Sequence, residues 1–127
     1  MTVGLVVVSH SERAAEGIRE VAAEMADDTR IEAVGGDGQG GIGTVPDAIG
    51  DAIESADDGG GVVVLVDLGS AVMNADVAIE MGDADAVIAD APVLEGAVNA
   101  AVAATDPNAT IDTVRDQAEA ARDIEKL

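Results

Sequence analysis

Four short polar stretches each follow an apolar run: "SHS" after Val8, "GGDGQGGIGT" after Val34, "DLGS" after Val66 and "DAP" after Ala89. The first holds His10, the only histidine in the chain. A neutral imidazole acts as a nucleophile toward phosphorus when one ring nitrogen is free and the other is fixed by an acceptor. Asp67, in the third stretch, is a natural orienting carboxylate, provided the first and third strands are neighbours. Ser9 and Glu12 have the S-x-x-E spacing of a capping box, which predicts a helix beginning at His10, with N–H groups and the positive helix end beside its ring. Such a place lowers the pKa of an imidazole and favours an attached phosphoryl group. Taken singly, each residue also has a plainer reading: His10 as a surface residue at a helix start, Asp67 as a carboxylate near another.

Other chemistries find less support. The glycine-rich stretch lacks the lysine of G-x-x-x-x-G-K-[ST], and "GDGQGG" has no acidic partner where a dinucleotide fold expects one. Its glycines can still bring backbone N–H groups close to a phosphate or a partner. The D-x-[DN]-x-[DN]-G calcium pattern is absent, so no metal and no cofactor is predicted. There are no cysteines, which removes disulfides, thiolate metal sites and a cysteine nucleophile, and is compatible with a reducing cytoplasm.

The elements that must position these residues alternate in kind. Val3 to Val8 and Val62 to Val66 are short, β-branched and almost wholly apolar, as in strands buried on both faces of a parallel sheet. Ile31 to Val34 and Ala86 to Ala89 are weaker strand candidates. Ile18, Val21, Ala22 and Met25 share one helical face, and Ala48, Ile49, Ala52 and Ile53 another. Further helices are expected from about Ala71 to Met81, from about Leu94 to Ala104, and where Ile111, Val114, Ala118 and Ala121 recur. The expectation is one α/β domain over residues 1–127, with a central, mainly parallel sheet of about four strands, helices on both faces, and its site at the carboxyl edge. "DDGGG" before Val62 reads as a tight loop, and the start "MTVGLVVVSH" as a first strand, not a signal peptide.

The interior must be filled without a single Phe, Tyr or Trp, although 48% of the residues are hydrophobic. Against 26 acidic residues stand 6 basic ones, for a formal charge of −20. Nucleic acid and anionic membranes are therefore poor partners, and no run approaches the roughly 20 apolar residues of a membrane span. An acidic surface with one lysine suggests adaptation to a salt-rich cytoplasm, where charge repulsion is screened.

Together, "VVVSHS", "DGQGGIGT", "LVDLGSAVMNADVAIEM" and "DAPVLEGA" resemble the phosphotransferase subunits of dihydroxyacetone kinases that depend on the phosphoenolpyruvate phosphotransferase system. The resemblance spans Val3 to Ala104, and the amino-terminal domain of that family is similar to mannose-class enzyme IIA. It implies a homodimeric α/β fold in which His10 accepts phosphate and Asp67 is its neighbour. Ser9, Ser11, Gly36, Thr44, Gly69, Ser70, Met73 and Asn74 are then the candidate phosphate- or partner-binding positions. The implied relay runs from phosphoenolpyruvate through enzyme I and HPr to His10, then to ADP on the kinase's nucleotide-binding subunit. HPr would be a separate protein. Methionine and small apolar residues in the third and fourth helices could serve the dimer.

Two rivals come from other classes. A receiver-like signalling domain would use Asp67 as phosphoacceptor, but it needs an acidic pair after the first strand, where this chain has Ser-His-Ser, and a lysine better placed than Lys126. A catalytically inert interaction module would use the same fold without the chemistry.

Overall fold

The computed structural model describes residues 1–127. Strands β1 (Gly4–Ser9), β2 (Ile31–Gly35), β3 (Val62–Val66) and β4 (Ala86–Ile88) alternate with helices α1 (Glu12–Met25), α2 (Pro46–Ala56), α3 (Gly69–Met81) and α4 (Val93–Ala104). Helix α5 (Ile111–Ala120) and a 3-10 turn over Ala121–Asp123 follow. All pairings are parallel, in the order β2-β1-β3-β4.

Alternation along the strands splits the core into two layers. Leu5, Val7, Val63 and Leu65 face α1, α4 and α5, where Ala15, Ala22, Ala97, Ala101 and Ala118 let the helix backbones come close. Val6, Val8, Val62 and Val64 face α2 and α3, meeting Ile49, Ile53, Ala71, Ala75 and Ala78. Valine and alanine thus replace aromatic rings by close helix-to-sheet approach.

The chain leaves β1 in one direction to form β2 and returns past it to form β3. Neighbouring carboxyl ends that lead in opposite directions leave a crevice between β1 and β3, the usual site location in an open parallel sheet. His10 and Asp67 follow these two strands directly.

Some local expectations are corrected. The cap of α1 is Ser11, whose hydroxyl accepts the Ala14 N–H at 3.2 Å, and the helix begins at Glu12. Ser9 is the last residue of β1 and 2% exposed, so its hydroxyl points into the protein and cannot cap. His10 therefore precedes the helix. On α1 the inward stripe is Ala15, Ile18 and Ala22, while Val21 and Met25 lie on its flank, 48% and 60% exposed. At 3.6 residues per turn those two positions rotate away from the sheet. Helices α3 and α4 pack on opposite faces of the sheet. The "DDGGG" segment is the tight loop expected: Gly59 and Gly61 have φ of 107° and 91°, and Asp57 accepts both their N–H groups.

Candidate functional site

At the β1/β3 crevice, Asp67 collects four donors. Its Oδ2 accepts the Ser9 hydroxyl at 2.9 Å and the His10 N–H at 3.0 Å, and its Oδ1 lies 3.0 Å from His10 Nδ1 and 2.8 Å from the Leu68 N–H. Asp67 is itself fixed by its N–H, which donates to the Val8 carbonyl at 3.1 Å. Partial burial pushes its carboxyl up, but bonds from the His10 N–H, the His10 ring and the Ser9 hydroxyl outweigh this, and the net shift is below the ordinary value.

An ionised carboxylate only accepts hydrogen bonds, so His10 Nδ1 carries the ring proton and Nε2 holds the lone pair. Ser70 Oγ lies 2.8 Å from Nε2, and with the ring neutral and its proton on Nδ1 the hydroxyl is the donor. Ser70 belongs to the first turn of α3, a turn with no acidic residue, and the cap residue Leu68 offers no side-chain acceptor. The positive helix end beside Nε2 is therefore that of α3 rather than α1. The side chain of His10 is 21% exposed.

The glycine-rich loop stands on the other side of His10. Gly43 N–H donates to the His10 carbonyl at 2.9 Å, and Asn74 Nδ2 donates to Thr44 Oγ1 at 2.6 Å, tying the loop to α3. Inside the loop, Asp37 Oδ1 accepts the Gln39 and Gly41 N–H groups, and these bonds lower the Asp37 pKa. Gly36 has φ of 81°, a left-handed conformation that favours glycine.

His10, Asp67, Ser9 and Ser70 thus meet in one cluster, and Gly69 is the first residue of α3, just before Ser70. Thr44 and Asn74 brace the loop, Gly36 is buried within it at positive φ, and Met73 on α3 is 74% exposed. The Ser9 hydroxyl is committed to Asp67 and to the Ser11 N–H, so it holds the carboxylate rather than facing solvent. Ser11 is committed to capping α1. Two contributors had no sequence signal. Gly43 acts through its backbone alone, and Gly35 matters because a Cβ there would lie 2.5 Å from the Ser9 carbonyl oxygen and 2.8 Å from that of Ser11. No group of three or more His, Asp or Glu side chains is arranged to hold a metal ion, and no helix is long and apolar enough to cross a membrane.

An imidazole held by a carboxylate, at the switch point of a parallel sheet, fits a family of phosphotransfer domains. The EIIA-man family, described as the PTS system fructose IIA component, matches residues 4–115, and the chain belongs to it. Among relatives, the chain is 38% identical to the PTS-dependent dihydroxyacetone kinase phosphotransferase subunit DhaM of Lactococcus lactis, over 94% of this chain and 95% of that protein. A Listeria innocua subunit, phosphoryl donor subunit DhaM of PEP-dependent dihydroxyacetone kinase 2, is 38% identical over 79% of this chain and 84% of its own length. The Escherichia coli phosphoryl donor subunit DhaM is 38% identical over 88% of this chain, which matches 25% of that longer protein. The crystal structure of EF1359, a protein of unknown function, superimposes with a TM-score of 0.82 at 29% identity, covering 94% of this chain and 95% of that one.

Proposed function

We propose that this chain is the phosphoryl donor subunit of a phosphoenolpyruvate-dependent dihydroxyacetone kinase, carrying phosphate on His10 Nε2. The observation that carries the reading is the Asp67–His10–Ser70 line, 3.0 Å on one side of the ring and 2.8 Å on the other. It leaves one nucleophilic nitrogen at an uncapped helix start.

In the uptake step Nε2 attacks the phosphorus of phospho-HPr. The new N–P bond forms as the bond to the HPr imidazole breaks, and that imidazole leaves with its electron pair. With Nδ1 still protonated, the phosphorylated ring bears a positive charge, which the Asp67 carboxylate stabilises. Ser70 turns its hydroxyl from Nε2 to a phosphoryl oxygen. In the delivery step a terminal oxygen of ADP, held on the kinase's nucleotide-binding subunit, attacks the same phosphorus and Nε2 recovers its lone pair. Throughout, the protein works as a single domain in the cytoplasm and as a homodimer. Exposed Leu68, Met73, Val77 and Met81 on and beside α3 support an interface there.

The test is incubation with enzyme I, HPr and phosphoenolpyruvate, followed by mass spectrometry under neutral conditions. Phosphate on His10, lost on His10→Gln in a protein that still folds, is the expected result. Phosphate on Asp67, recognised by its lability in alkali, would instead establish the receiver-like alternative, and no phosphate at all the inert module.

A further inference from the structure

Cations are scarce in this chain, and most of them are already neutralised. Arg19 pairs with Glu16, Arg115 with Asp112 and Asp116, Arg122 with Asp90, and Lys126 with Glu95. Only Arg13 and Arg30 have no carboxylate partner among the ion pairs. Arg30 immediately precedes β2, at the amino edge of the sheet. Arg13 lies in the first turn of α1, at the carboxyl edge, three residues after His10.

Arg13 lines a cleft of about 550 Å³ between the start of α1 and the glycine-rich loop, together with Ser11, Gly36, Gly38, Gly40 and Ile42. The N–H groups of Gly36, Gly38, Gly40 and Ile42 have no hydrogen-bond acceptor in the protein, whereas those of Gln39 and Gly41 are turned inward to Asp37. Gly36, Gly38 and Gly40 have positive φ values of 81°, 83° and 86°, which alternate with the residues bonded to Asp37. Glu12 is the one carboxylate in the lining. A guanidinium beside unpartnered backbone N–H groups offers a set of donors suited to a phosphate.

The cleft is next to the reactive ring without being part of its cluster. The ring leans toward Asp67 and Ser70, which do not line the cleft, whereas its chain neighbour Ser11 does. A phosphohistidine donor brings one phosphoryl group, which goes to Nε2. A nucleoside diphosphate brings two phosphates, one that attacks and one that needs a counter-charge nearby. Resting on the phosphoryl-carrier reading above, we propose that Arg13 and the glycine loop bind the non-reacting phosphate of the acceptor nucleoside diphosphate, making Arg13 a positioning residue for delivery and not for uptake.

The experiment separates the two half-reactions by rapid quench at fixed salt, with uptake from phospho-HPr and delivery to the kinase's nucleotide-binding subunit loaded with ADP. Arg13→Gln is expected to slow delivery by about 10- to 100-fold, the value of one charge-assisted hydrogen-bonded contact, while uptake changes far less. Arg13→Lys should recover part of the loss, because it restores the charge without the planar fork. Melting temperature, followed by circular dichroism, should be unchanged in both variants, since Arg13 is exposed. Equal rates of delivery for Arg13→Gln and wild type, or equal slowing of both half-reactions, would overturn the proposal. A wild-type protein that takes no phosphate on His10 would overturn the carrier reading instead.

Discussion

Asparagine at position 67 is close in shape to aspartate but cannot satisfy the groups that surround it. The carboxylate accepts from the Ser9 hydroxyl and the His10 N–H on one oxygen, and from the His10 ring and the Leu68 N–H on the other. Each side therefore includes a backbone N–H, a donor that cannot reverse its role. Whichever way the amide turns, its NH2 group opposes one of them. The lost charge-assisted bond sets the expected destabilisation at about 1.5–3 kcal/mol, read as a lower urea midpoint by far-ultraviolet circular dichroism. The chemistry depends on the same turn. If the amide NH2 takes the ring side, Nδ1 must accept, the proton moves to Nε2, and the nucleophilic lone pair is lost. Phosphate uptake from phospho-HPr should slow by about 10²- to 10⁴-fold while still ending on His10. An Asp67→Asn protein with an unchanged midpoint and an uptake rate within about twofold of wild type would refute the reasoning.

Acid should remove the same contribution in the wild type. The folded Asp67 pKa lies below the ordinary value of about 3.9, so its stabilisation is complete above that value and is lost as the pH falls through the lower, folded pKa. The stability gap between wild type and Asp67→Asn, measured by urea unfolding across this range, should accordingly narrow as the solution becomes more acidic. Gly35→Ala should cost about 1–3 kcal/mol and slow uptake as well, because the added methyl group presses on the Ser9 and Ser11 carbonyl oxygens that flank His10. The melting temperature should rise from dilute buffer to molar KCl, since a charge of −20 repels itself over about 10 Å at 0.1 M salt but only about 3 Å at 1 M; equal melting temperatures would contradict adaptation to salt.

Strands were legible because burial on both faces demands unbroken apolar runs, and Val62–Val66 matches the observed β3 residue for residue. The chemical residues were legible because each follows such a run. Their meeting was not, since nothing local to "SHS" or "DLGS" encodes that β1 and β3 are neighbours; that depends on the return of the chain past β1. The cap of α1 was misassigned for a related reason. Ser9 and Ser11 are both serines within reach of a helix start, and only the inward direction of the last strand residue decides between them. Val21 and Met25 show another limit: an apolar residue near a helical stripe looks like core until the neighbouring helix fixes how wide the stripe is. The positive helix end beside Nε2 belongs to α3, a contact between segments 60 residues apart in sequence.

An interior built wholly of aliphatic side chains also leaves the protein nearly dark in the near ultraviolet, with no native fluorophore. That silence turns a single added indole into an isolated reporter. Met73, three residues beyond Ser70 and largely exposed, is a position where tryptophan displaces no core residue. Its emission would come from one exposed position on α3, with no signal of the chain's own to subtract.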